Sequence, residues 1–205
     1  MKASFVLAVL GLAAASNAQS LTTLFASNNG GSAGGNVYFN ITVGANAITI
    51  TGFNTNTSIA AGGSFNFQAW TVAGTYLGNE QNAGAWTQVT TGSGVSAGND
   101  QPSAVTLNNS FTLNANTTYG VALSLSNPIG VGTANHRYTN GTGTNQNFSN
   151  ADLSIALGAA QNVPFSGSPF TPRVWNGTVF YDVVPTPASA ALLGLGGLVA
   201  TRRRR

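Results

Sequence analysis

The sequence predicts an all-β fold, a single two-sheet sandwich, on three observations. Apolar and polar residues alternate with period two in several short runs, the signature of strands with one buried face. Gly-, Asn- and Ser-rich turns separate those runs, and glycine alone supplies 26 of the 205 residues. Between residues 20 and 183 no window keeps a helical period. Short strands at this spacing favour a jelly roll first and an Ig-like Greek key second.

In chain order, Met1 and Lys2 precede an apolar run over residues 5–15, which predicts an N-terminal signal helix. Ser16 and Ala18 are the small residues before a cut after Ala18. The exported body then covers residues 19–183, about 165 residues, large enough for one packed core. Residues 28–36 read as a Gly-rich loop. Val37, Phe39, Ile41 and Val43 alternate with Tyr38, Asn40 and Thr42 in the first long strand. Further strands are expected at 47–53, 65–72, 85–90 and 110–113. Tyr119, Val121, Leu123 and Leu125 alternate with Gly120, Ala122 and Ser124. After a loop at 140–147, Leu153, Ile155 and Leu157 alternate with Asp152, Ser154 and Ala156. A last long strand is expected over 173–183, with Trp175 on its core face and Arg173 paired to Asp152 or Asp182.

Beyond the body, Val184, Pro185, Thr186 and Pro187 lead into the small-residue apolar segment 188–200, and the chain ends in Arg202, Arg203, Arg204 and Arg205. As a helix, 188–200 covers roughly 20 Å at about 1.5 Å per residue. A hydrocarbon core of about 30 Å normally needs about 20 apolar residues, so the C-terminal hydrophobic helix is a short span. The arginines resist transfer and stay cytoplasmic, leaving the body outside. This three-part tail resembles the PEP-CTERM sorting signal of Gram-negative bacteria. Val184, Pro185 and Pro187 match its motif and Arg202–Arg205 its basic end, while Thr186 replaces the name-giving glutamate. The resemblance implies processing by an exosortase-like membrane protease, after signal peptidase has acted at the other end. It also implies a cell-surface or extracellular-matrix setting associated with exopolysaccharide and biofilm.

Removing both sorting segments changes the charge. The whole chain has a pI of about 9.7, yet the body holds only Arg137 and Arg173 against Glu80, Asp100, Asp152 and Asp182, a net charge of −2. No basic patch remains to neutralise phosphates, which argues against a nucleic-acid partner. The chain has no cysteine, which excludes disulfides, thiolate metal sites and cysteine nucleophiles.

Chemistry-bearing patterns are sparse. Gly94, Ser96 and Gly98 fit G-x-S-x-G, but a loop, not a helix, follows, and the single histidine, His136, lies on a Gly/Asn-rich approach. The four acids are scattered, with no pair placed for glycoside hydrolysis. Asn99-Asp100 and Asn150-Ala151-Asp152 carry oxygens suited to calcium, but Asn and Asp also serve as turn formers; no metal or other cofactor is expected. Trp70 falls on one face with Asn66 and Gln68, and Trp86 with Gln88 and Thr90, which makes exposed Trp70 and Trp86 the candidate glycan-binding rings. The expected function is an exported, non-catalytic surface or matrix protein, transiently inserted in the inner membrane through its tail. A glycan-binding module is the alternative and a hydrolase a distant third.

Overall fold

In the computed structural model, which describes residues 18–127 and 134–185, the alternating runs form fourteen β-strands among the described residues. These are β1 (Gln19–Thr22), β2 (Asn29–Gly30), β3 (Asn36–Val43), β4 (Ile48–Thr55), β5 (Ser64–Ala73), β6 (Thr87–Val95), β7 (Ser103–Leu107), β8 (Phe111–Leu113), β9 (Thr118–Ser126), β10 (Arg137–Asn140), β11 (Asn147–Ser149), β12 (Leu153–Gln161), β13 (Arg173–Trp175) and β14 (Gly177–Val183). A 3₁₀ turn, Ala83–Ala85, precedes β6. The signal segment 1–17 and the tail from Thr186 onward lie outside the described residues, and with them both expected terminal helices.

Eleven strands form one antiparallel ribbon in the order β1-β14-β4-β7-β6-β5-β9-β3-β12-β11, with β8 also paired to β4. The ribbon folds over its own apolar face into a sandwich with a barrel-like roll. Its two ends meet where Asn150 Nδ2 donates to Ser20 O at 3.2 Å and to the Tyr181 hydroxyl at 2.8 Å. β5, β6 and β7 run as a meander and β9 returns beside β5. That is a Greek key, the unit from which both expected architectures are built.

Inside, the alternating sets expected to point inward do so. Val37, Phe39, Ile41, Val43, Val121, Leu123, Leu125, Leu153, Ile155 and Leu157 join Phe53, Phe67 and Trp175 in one core. Phe39 stacks on Trp175 with ring centroids 5.1 Å apart, and Phe53 packs on Phe67 at 5.2 Å.

The expected strand over 173–183 is two strands. β13 belongs to a small sheet, β13-β10-β2, and β14 to the ribbon. Asn176 makes the break, its carbonyl accepting from Asn56 N at 3.0 Å and its Oδ1 from Thr139 at 3.0 Å. At Gly177 the Trp175 ring lies so close that a Cβ would overlap it. The expected loops 28–36 and 140–147 contain β2 and the start of β11. Both segments are too polar for alternation to betray them, and they are ordered by pairing with β10 and β12.

Candidate functional site

The two candidate tryptophans do stand on the outer face of the β5-β9-β3-β12 layer, but that face is not bare. The loop from Gly74 to Trp86 lies down on it, fixed by Asn40, whose Oδ1 accepts from Tyr76 N at 3.0 Å and whose Nδ2 donates to Thr75 at 3.0 Å. Close approach requires the missing side chain of Gly158, because the Tyr76 hydroxyl occupies the space of a Cβ there. Under the loop sits a second apolar cluster of Tyr38, Tyr76, Trp86, Ala122 and Ala159, with Trp70 and Phe165 against it.

Trp86 is therefore buried, only 8% exposed, which corrects the expectation of an open ring. Its indole N–H donates to Asn79 O at 2.8 Å. Its ring packs on Tyr38 at 5.7 Å and Phe165 at 5.4 Å. Trp70 is half-buried and meets Phe165 edge-on at 5.4 Å. The Tyr38 hydroxyl donates to Gln161 Oε1 and accepts from Phe165 N at 3.1 Å, tying the 162–168 loop to the cluster. Burial raises the pKa of Tyr38 and Tyr76, and the nearby Glu80 charge adds to both.

The G-x-S-x-G serine is a loop anchor. Ser96 is buried, its hydroxyl donating to Ile59 O at 2.7 Å and accepting from Gly98 N at 3.0 Å. His136 is occupied elsewhere, with Nδ1 3.3 Å from Thr55 Oγ1 and Nε2 3.1 Å from Leu123 O. Burial pushes its pKa down to about 3, against a smaller opposing effect of the Leu123 hydrogen bond.

The calcium candidates act in turns. Asp100 adopts φ 58° and accepts from Ser27 N and Asn56 Nδ2, both at 2.8 Å. Desolvation works against its charge, but the hydrogen bonds from Ser27 and Asn56 and the Arg137 charge outweigh it and lower the pKa. Asn150 Oδ1 accepts from Asp152 N and Leu153 N at 3.0 and 3.1 Å, while Asp152 Oδ2 accepts from Tyr181 at 3.0 Å. Among the described residues no three His, Asp or Glu side chains gather in a metal-binding group.

An open cleft of about 240 Å³ lies instead beside the small sheet, lined by residues that include Asn29, Ser32, Tyr138, Asn162, Phe170 and Arg173. Arg173 does not take the expected carboxylate partner. Its Nη1 donates to Pro172 O at 2.8 Å, and its guanidinium carbon lies 5.8 Å from the Tyr138 ring centroid and 5.9 Å from that of Phe170. Its Nε is buried without a hydrogen-bond partner among the described residues. Phe170 is 42% exposed, yet its backbone is held by paired hydrogen bonds with Ala160 at 2.8 and 3.0 Å. Sequence periodicity does not find this cleft, because its residues come from loops and two- to four-residue strands. The one available signal was that Arg173 is one of only two basic side chains in the body outside the histidine.

Of the sorting residues, Ala18, Val184 and Pro185 are exposed. Ser16, Thr186, Pro187 and Arg202–Arg205 lie outside the described residues. Among the described residues no helix is long and apolar enough to cross a membrane; segment 188–200 is not among them. No protein-family model and no curated protein matches this chain.

Proposed function

We propose that this chain is an exported, non-catalytic surface protein, delivered by its N-terminal signal and held through the tail that begins at Val184. One observation carries the reading. β1 pairs antiparallel with β14, with Gln19 opposite Tyr181, so the first residue after the expected signal cut and the last residues before the tail leave the body at the same end. The strand that reaches the tail spans about 20 Å at about 3.3 Å per residue. Loops and the small sheet at its other end are thereby presented away from the attachment point. A cut after Ala18 leaves β1 whole, and a tail processed at 184–187 leaves β14 whole.

The test is intact-mass and terminal-peptide analysis of protein recovered from the envelope and the medium of its own or a Gram-negative host. A mature chain starting at Gln19 and ending within or just after 184–187 is expected. A chain that still starts at Met1 refutes export by this signal, and Arg205 retained in surface-exposed protein reduces the tail to an anchor. A glycan site on Trp70 and Trp86 is the weaker reading, since Trp86 is buried against Tyr38 and Phe165.

A further inference from the structure

We propose that the cleft at the small sheet is a binding site for a carboxylate-bearing sugar, with Arg173 reading the carboxylate and Phe170 carrying the ring. This goes beyond the sorting proposal and does not rest on it.

Arg173 supplies the first argument. In a body of net charge −2, an arginine is ordinarily expected to sit beside an acid. The other body arginine does so, since Arg137 lies near enough to Asp100 to lower its pKa. Arg173 makes no hydrogen bond to a carboxylate among the described residues, and donates instead to the Pro172 carbonyl. Two aromatic rings and that carbonyl hold the guanidinium in one orientation. A planar, pre-oriented guanidinium is matched by a carboxylate, which can take two parallel N–H bonds. Fixing the group in advance reduces the ordering cost of binding.

The rest of the wall selects the ligand around that carboxylate. Phe170 presents an exposed ring on a backbone pinned to β12, a platform for the apolar C–H face of a pyranose. Asn162 and Ser32 are exposed, and their side chains make no hydrogen bond among the described residues, so an amide and a hydroxyl stand ready for sugar hydroxyls. Asn29 is fixed by Asn140, its Nδ2 donating at 2.9 Å, which stiffens the cleft wall. At about 240 Å³ the cleft is smaller than the usual 300–1,000 Å³ of sites for drug-sized ligands. It suits one sugar residue of a longer chain that continues through the open mouth. A peptide C-terminus shares the carboxylate but brings side chains for which this mostly polar wall offers a single apolar ring.

The experiment uses the full chain purified in detergent and three probes in calorimetric titration: tri-galacturonate, the neutral maltotriose, and trialanine with a free carboxylate. Tri-galacturonate is expected to bind at least about ten-fold more tightly than either control, the range set by a charge-assisted hydrogen bond. R173Q should remove that preference. F170S, at an exposed position, should weaken the acidic sugar about ten-fold while leaving the melting temperature near wild type. If R173Q fails to fold, F170S and the probe ranking still decide. Equal binding of charged and neutral sugars, no binding of tri-galacturonate, tighter binding of trialanine, or unchanged affinity in F170S would each overturn the proposal. None of these results touches the terminal masses that test export.

Discussion

Acid should destabilise this protein through His136, beginning below pH 6.5. The imidazole is 2% exposed and sits in a directed chain of hydrogen bonds across the core. Trp175 Nε1 donates to Thr55 Oγ1 at 3.2 Å. The Thr55 hydroxyl can then donate to His136 Nδ1, and Nε2–H donates to the Leu123 carbonyl. Only the neutral ring with its proton on Nε2 satisfies every member. A second proton on Nδ1 would face the Thr55 hydroxyl, and the charge would be buried without an anion. The folded pKa of about 3 lies below the unfolded value of 6.5, so below pH 6.5 the unfolded chain binds a proton that the folded chain does not. Stability is therefore complete above pH 6.5 and falls as the pH drops, by about 1.4 kcal/mol per unit. At pH 4.5 the loss is about 2.7 kcal/mol, a large part of the 5–15 kcal/mol typical of a domain. Asp100 does not mask the effect. Its folded pKa is lowered, so its contribution persists above the unfolded value near 3.8 and is lost only at lower pH. Urea unfolding followed by tryptophan fluorescence at pH 7.0, 5.5 and 4.5 measures the slope. His136→Gln, whose amide can accept from Thr55 and donate to Leu123 O, should be less stable at pH 7 but nearly flat across the range. A wild-type stability that is also flat between pH 6.5 and 4.5 would refute the reasoning.

Trp86→Ala should cost about 3 kcal/mol, the lower end for a buried aromatic, and quench-accessible tryptophan should rise because Trp70 loses its cover; urea unfolding and acrylamide quenching check both. Gly158→Ala should lift the 74–86 loop from the sheet and cost about 1–3 kcal/mol by overpacking against Tyr76, with hydrogen exchange at Tyr76 and Trp86 speeding up before the core does. Asp100→Ala should remove the acceptor shared by Ser27 N and Asn56 and cost about 1–3 kcal/mol at pH 7. That difference from wild type should shrink below pH 4, which thermal melts across pH read directly.

What the sequence made legible was the inward face. Val37 to Val43 and Val121 to Leu125 project where alternation puts them because a two-residue period is imposed by the pleat itself. Bulges break that rule, as in β12, where the register shifts between Leu157 and Ala159 and Ala159 turns to the outer cluster. The covering of the outer face was also written in the chain, though less plainly. Positions opposite the core set of β9 are Gly120 and Ala122 rather than charged residues, which suits a second layer better than water. Trp86 could not be placed correctly from alternation, since it precedes β6 and is positioned by a 3₁₀ turn and the Asn79 carbonyl. The cleft was out of reach for a different reason. Arg173, Tyr138 and Asn29 are brought together by β13-β10-β2, whose pairing spans more than a hundred residues of sequence and leaves no local pattern.

The pairing of β14 also governs the order in which the body can be completed. The last strand of the body to be synthesised is not an edge strand: it lies between β1 and β4. Until Val183 has arrived, β1 has no strand to pair with, one side of β4 is open, and Val179 and Tyr181 are missing from the core. The ribbon therefore cannot be completed until β14 has been synthesised. Closure depends on one central insertion, β14 entering between two strands that were made more than a hundred residues earlier.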